Sequence, residues 1–168
     1  VRTMEAEGMS SALKHFPGYG NNSDTHTGIA IDKRPYSTFE AQDFLPFIAG
    51  IEQGAPSILV SHNIVECMDS EFPASLSKEV HRILRDTLNF NGVIMTDDLS
   101  MEAIKLYTNG QSPAVAAVLA GNDLLLTSDW EEDYSSLLAA VINGEVPVKQ
   151  IDESVKRILQ WKQHMGLL

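Results

Sequence analysis

Cysteine is almost absent from this 168-residue sequence. Cys67 stands alone, which excludes an intrachain disulfide and a thiolate-rich metal site, and it reads as a structural thiol. Basic residues are scarce as well. Twelve Lys and Arg against 23 Asp and Glu give a formal net charge of −11. No Lys/Arg cluster offers the phosphate contacts that a nucleic-acid partner requires. Apolar runs are short: the longest, Ala114 to Ala120, falls far below the ~18 residues of a membrane span. Nor is there a GxGxxG fingerprint, since Gly18-Tyr19-Gly20 is a lone GxG with no helix directly after it. What remains is an ordinary globular composition, 43% hydrophobic and 21% charged, long enough for one domain with a core of its own. The chain starts at Val1 inside an amphipathic segment, so residues are expected ahead of it, and no compartment is assigned.

One stretch is dense in proton-handling groups. Lys14-His15-Phe16-Pro17-Gly18 follows a short apolar strand, Ser11-Ala12-Leu13. The chain then runs through Tyr19-Gly20-Asn21-Asn22-Ser23, which is turn chemistry, to Asp24-Thr25-His26. Two of the five histidines, a lysine and an aspartate thus fall on a single strand end and its loop. Enzymes commonly hang reactive side chains from such a loop.

The rest of the chain repeats one pattern. Ser57-Ile58-Leu59-Val60, Val93-Ile94-Met95 and Asp123-Leu124-Leu125-Leu126 read as further buried strands. Between and after them lie amphipathic helices: Phe44, Phe47, Ile48 and Ile51; Val80, Ile83, Leu84 and Leu88; the segment after Ser112-Pro113, ended by Gly121; Tyr134, Leu137, Leu138 and Val141; and Ile151, Val155, Ile158 and Leu159. Capping boxes are expected at Ser37 to Glu40 and at Ser128 to Glu131, and Pro46 is expected to kink or restart its helix. Wholly apolar strands alternating with helices imply a covered parallel sheet, either doubly wound or an arc of a barrel. Every strand ends in polar residues: Lys14-His15, Ser61-His62-Asn63, Thr96-Asp97-Asp98 and Thr127-Ser128. In parallel α/β folds the carboxyl ends of the strands form the site face. Four strand–helix units are half of the eight in a closed barrel, which takes about 250 residues.

Two constellations carry chemistry, Asp24 with His26 and Asp97 with Asp98. A strand fixes its terminal aspartate, which suits Asp97 to act as nucleophile or charge stabiliser, while Asp98 serves equally well as a turn cap. An imidazole two residues from a carboxylate is oriented by it and kept protonatable. Lys14 is difficult to place in a core, because burying an unpaired ammonium is costly. His62 joins the candidates, whereas His81 and His164 lie on or after helices and read as structural. These residues permit glycoside hydrolysis, and they equally permit a metal-dependent hydrolase with His15, His26, His62 and Asp97 as ligands.

Lys14-His15-Phe16-Pro17-Gly18 followed by Asp24-Thr25-His26, with Gly92-Val93-Ile94-Met95-Thr96-Asp97-Asp98-Leu99-Ser100-Met101 downstream, resembles bacterial β-N-acetylglucosaminidases of glycoside hydrolase family 3, the NagZ type. The order and separation of the motifs agree over essentially the whole chain. The resemblance implies the C-terminal half of a (β/α)8 TIM barrel and a retaining mechanism with no metal or cofactor. Its substrate is a β-linked N-acetylglucosamine-containing glycan or muropeptide of the cell wall. By the same resemblance Asp97 is the nucleophile, His26 the general acid/base and Asp24 its dyad partner. Lys14 and His15 bind the sugar, and His62 is carried with them as a substrate-binding candidate. Tyr19 and Thr25 stand where the family commonly has histidine and serine. The family's N-terminal half, with further sugar-binding residues, has no counterpart here. The 168 residues are therefore expected to be a partial catalytic domain lacking the first half of its barrel. Such a fragment should pair with that half or self-associate, and should have little activity alone. A sugar-binding half-barrel without turnover is the non-enzymatic alternative.

Overall fold

The structure is a computed structural model that describes residues 1–20, 29–101, 104, 106–108 and 110–168. Its strands are β1 (Ala12–Phe16), β2 (Ile31–Asp32), β3 (Ser57–Val60), β4 (Ile64–Val65), β5 (Val93–Asp98) and β6 (Leu124–Leu126). The helices are α1 (Arg2–Ala6), α2 (Tyr36–Thr38), α3 (Phe44–Glu52), α4 (Lys78–Arg82), α5 (Pro113–Ala120), α6 (Trp130–Ile142) and α7 (Val148–His164).

The main sheet has the order β1-β3-β5-β6, and every neighbouring pair is parallel. Strands follow one another across the sheet in chain order, with no point at which the order reverses. A doubly wound sheet reverses; a barrel wall does not. The chain therefore has the architecture of half a (β/α)8 barrel. β2 and β4 form a separate parallel ribbon at the carboxyl ends of β1 and β3.

Alternation along the strands separates the two faces of the sheet. Phe16, Ile58, Val60 and Ile94 pack with Phe44, Phe47, Val80, Ile83, Leu84 and Leu88 into the largest core, between sheet and helices. A smaller core, Val115, Val118, Ala140 and Val146, joins α5 to α6. On β5, Ile94 points into the helix-side core, so Met95 and Asp97 alternate onto different faces from their neighbours Ile94 and Thr96.

At the amino ends of the strands, Asp123 ties the layers together. Its Oδ2 accepts from Arg85 Nη2 at 2.6 Å and from the Ile94 N–H at 2.9 Å. Its Oδ1 accepts from Ser154 Oγ at 2.8 Å and Arg157 Nη1 at 3.0 Å. α7 is thereby held beneath the sheet, and Trp161 Nε1 at its far end donates to Ser10 Oγ, just ahead of β1.

Several local expectations change. The helix expected from Ser37 begins at Tyr36 with Pro35 in the capping position, which places Ser37 inside the first turn. Its ladder widens to a π-helical turn over Phe39–Asp43 directly ahead of Pro46, which has no N–H to give. The expected cap Ser128 sits one residue too early, since Asp129 precedes α6, and the Ser128 hydroxyl donates to Asp98 Oδ2 instead. Cys67 is exposed on the turn after β4, so it is not a packed structural thiol. β1 and β5 run longer than expected, to Phe16 and Asp98, which puts Lys14, His15 and Asp97 within strands.

Candidate active site

The carboxyl ends of β1, β3, β5 and β6 meet at one rim. His15 Nε2 of β1 lies 3.9 Å from Asp97 Oδ2 of β5, and both side chains are about a third exposed, 30% and 28%. Tyr19 packs edge-on against the His15 ring, with centroids 5.5 Å apart. Lys14, beside His15 on β1, is exposed. Asp24 and His26 lie outside the described residues.

Asp97 and Asp98 differ sharply. Asp97 Oδ1 accepts from the Asp98 N–H at 2.9 Å, which leaves Oδ2 on the side of His15. Asp98 is the turn cap: its Oδ1 accepts from the Ser100 N–H and hydroxyl, at 2.9 and 2.7 Å, and its Oδ2 from Ser128 Oγ at 3.1 Å. Partial burial opposes its charge, but the hydrogen bonds from Ser100 and Ser128 outweigh it and hold the carboxyl below its ordinary value. That contribution to stability is present above the ordinary carboxylate pKa and is lost as the pH falls through the depressed one.

Beneath the rim, Ser61, His62 and Asn63 are fully buried. Ser61 continues β3, donating both its N–H and its hydroxyl to the Phe16 carbonyl at 2.9 Å. Both ring nitrogens of His62 are engaged, Nδ1 with Ser75 Oγ at 2.7 Å and Nε2 with the Asp98 carbonyl at 3.0 Å. His62, a sugar-binding candidate from the sequence, is thus placed beneath the rim with both ring nitrogens held inside the protein. The same engagement removes it from the alternative metal set. Among the described residues no three His, Cys, Asp or Glu side chains gather in a metal-binding arrangement.

An ion network escaped the sequence reading. Arg34 grips Asp32 through Nε (3.0 Å) and Nη2 (2.7 Å), and reaches Asp43 through Nη1 (2.9 Å) and Nη2 (3.2 Å). Its guanidinium also lies 4.4 Å from the centre of the Phe39 ring. The Gly18 and Gly20 backbones rest directly on this network, with φ of +121° and +52°. A Cβ on Gly18 would collide with Asp43, and one on Gly20 would lie 2.7 Å from Arg34 Cζ. On the far side of residues 21–28, the Ile64 N–H donates to the Ala30 carbonyl at 2.9 Å, and Ile31 pairs with Ile64. The described residues that flank the Asp24/His26 segment, Gly20 before it and Ala30 after it, are thus anchored. The only sequence signal was the Asp32-x-Arg34 spacing after a glycine-rich turn. Arg34→Met should take the guanidinium away from the buried Asp32 carboxylate, costing about 3–5 kcal/mol. Urea unfolding checks this, and a loss below about 1 kcal/mol, the worth of a surface pair, would show the network to be weak.

In chemical terms, the rim holds a strand-fixed carboxylate with one oxygen tied down and the other facing a histidine. That is suited to attack on, or charge stabilisation of, an electrophilic carbon.

Comparison with known proteins gives a consistent picture. A sequence model of the glycosyl hydrolase family 3 N-terminal domain matches residues 1–161. A protein named Beta-hexosaminidase from Xanthomonas oryzae pv. oryzae is 39% identical over 142 residues, which is 83% of this chain and 42% of the relative. This chain thus spans about two-fifths of the length of that relative. Among solved structures, a glycoside hydrolase family 3 β-N-acetylglucosaminidase from Paenibacillus sp. str. FPU-7 superposes with a TM-score of 0.92 at 32% identity, covering 99% of this chain and 33% of that one. A β-glucoside phosphorylase, BglX, superposes with a TM-score of 0.90 at 28% identity, covering 99% of this chain and 32% of its own.

Proposed function

The chain belongs to glycosyl hydrolase family 3, and from that premise we propose that it is the nucleophile-bearing part of a retaining β-N-acetylhexosaminidase. The observation that carries this reading is the setting of Asp97. One of its oxygens is tied to the Asp98 N–H while the other faces His15 across the rim. In the proposed reaction, Oδ2 attacks the anomeric carbon of a terminal β-linked N-acetylglucosamine and forms a covalent glycosyl-enzyme. His26, oriented by Asp24, protonates the leaving oxygen. It then takes a proton from the water that releases the sugar. Lys14 and His15 hold sugar hydroxyls, which accounts for a lysine left exposed on a strand. Cell-wall glycan is the substrate class that the reading favours.

The proposed active form is a closed barrel in which a preceding half covers the open edges of this one. Leu126 on β6 and Trp130, Tyr134, Leu138 and Ile142 along α6 are exposed apolar side chains on one edge, the kind of surface that a partner covers. The test is release of p-nitrophenol from its β-N-acetylglucosaminide, by the 168-residue chain and by the chain joined to its preceding half. Turnover only in the joined form is the expected result. Turnover by the chain alone would point to a barrel assembled from two copies. None in either form would overturn the glycosidase reading.

A second acceptor is favoured by the likeness to a β-glucoside phosphorylase. A neutral imidazole, unlike a second carboxylate, does not repel an incoming phosphate. In high phosphate, part of the product is then expected as N-acetylglucosamine 1-phosphate; free sugar alone would restrict the enzyme to hydrolysis.

A further inference from the structure

His62 is entirely buried, yet it touches the end of the strand that bears Asp97. Its Nε2 faces the Asp98 carbonyl at 3.0 Å, and a carbonyl can only accept, so Nε2 carries a hydrogen. Nδ1 then receives the Ser75 hydroxyl at 2.7 Å. Ser75 is itself immobilised: its N–H donates to the Ser61 carbonyl at 3.0 Å, and its carbonyl accepts from Asn122 Nδ2 at 2.7 Å. A line of buried contacts therefore runs from Asn122, ahead of β6, through Ser75 and His62 to the main chain of Asp98. From the side, the Leu99 N–H donates to the Leu126 carbonyl at 2.9 Å, while Ser100 and Ser128 hold the Asp98 carboxylate. The Asp98 N–H of this unit donates in turn to Asp97 Oδ1 at 2.9 Å.

We propose that His62 is a positioning residue: as a neutral Nε2–H tautomer it locks the Asp98 main chain and so aims the Asp97 carboxylate, without touching the sugar. The inference rests on the reading that Asp97 is the reacting group. Neutrality matters to the chemistry. An imidazolium at this distance would stabilise the Asp97 carboxylate before attack and blunt it as a nucleophile, whereas a neutral donor fixes geometry without adding charge. Burial lowers the affinity of the ring for a second proton. Of the charged and titratable groups facing it, Asp97 and Asp98 of β5 favour the cation, and His15 of β1 opposes it.

Two measurements test this. On the 15N-labelled 168-residue chain, long-range nitrogen–proton correlation reads the His62 tautomer, with the signal assigned by its loss in His62→Gln. The Nε2–H form is expected to persist through the range in which a free histidine titrates. An Nδ1–H tautomer, or titration at the ordinary value, would overturn the proposal. In the form of the protein that turns over substrate, His62→Leu should lower kcat on the order of 10²-fold with KM nearly unchanged, the cost of a small misalignment. His62→Gln, whose amide can reach the same carbonyl, should recover most of the loss. A raised KM with wild-type kcat would make His62 a substrate contact and end the positioning claim. Failure of the Asp97 reading looks different: Asp97→Ala would keep its turnover while the tautomer stayed as expected.

Discussion

Asp97→Ala is expected to abolish turnover of an aryl β-N-acetylglucosaminide, lowering kcat by at least ~10⁴-fold, or roughly 5 kcal/mol of barrel-form transition-state stabilisation. The size follows from the proposed role. Without the carboxylate no covalent intermediate forms, and only binding and proton transfer remain to assist the reaction. The fold should be indifferent, because Asp97 is partly exposed and the group it leaves behind, the Asp98 N–H, lies at a rim open to water. Thermal unfolding of the variant should therefore match the parent. A second readout separates nucleophile from bystander: a small anion such as azide should restore some turnover in Asp97→Ala and yield a glycosyl azide of inverted configuration. Wild-type kcat in the variant would remove Asp97 from the chemistry.

Asp123→Ala acts at the opposite end of the strands and should damage stability instead. Removing this carboxylate strands two guanidiniums, Arg85 and Arg157, together with the Ile94 N–H and the Ser154 hydroxyl. Arg85 suffers most. Burial already lowers its hold on a proton, the Asp123 charge offsets that, and its remaining partners are neutral: the carbonyls of Phe90 and Gly92 and the Phe90 ring. Breaking a buried pair costs about 3–5 kcal/mol, a large part of the 5–15 kcal/mol that holds a typical domain folded. The expected result is a lower urea midpoint and loosening of α7, seen as faster amide exchange along Val148–His164. Asp123→Asn should lose less, since it keeps an acceptor for the Ile94 N–H. A change below about 1 kcal/mol in the alanine variant, the size expected of a surface pair, would mean that α7 is held by its other contacts, such as Trp161 on Ser10, and not by Asp123.

Much of this molecule follows from local rules. The apolar runs at Ser57–Val60 and Val93–Met95 can be buried on both faces only in a covered parallel sheet, so class and layer arrangement were legible. The same rule put Lys14-His15 and Asp97-Asp98 on one face, because strand ends of a parallel sheet share a rim. The motif order carried the family. The capping boxes misled because Ser37 and Ser128 satisfy a spacing rule that says nothing about where the helix has room to begin. Ser128 was claimed by Asp98, thirty residues earlier in the chain.

By itself, then, the sequence determined the alternation of strands and helices, the placement of the reactive types at strand ends, and membership of the family. The first two depend on periodicity and composition, which are properties of neighbours along the chain; the family rests on the resemblance carried by the order and spacing of its motifs. Only the tertiary structure decided that the sheet runs in barrel order, that Asp97 faces His15 while Asp98 caps, that His62 turns inward, that Arg34 joins Asp32 to Asp43, and that Asp123 ties distant segments together. The long-range ones among them, Ser128 to Asp98, His62 to Asp98 and Asp123 to Arg85 and Arg157, are hydrogen bonds or ion pairs between residues at least thirty positions apart, and a buried partner of this kind is chosen because an unpaired polar group is too costly to leave.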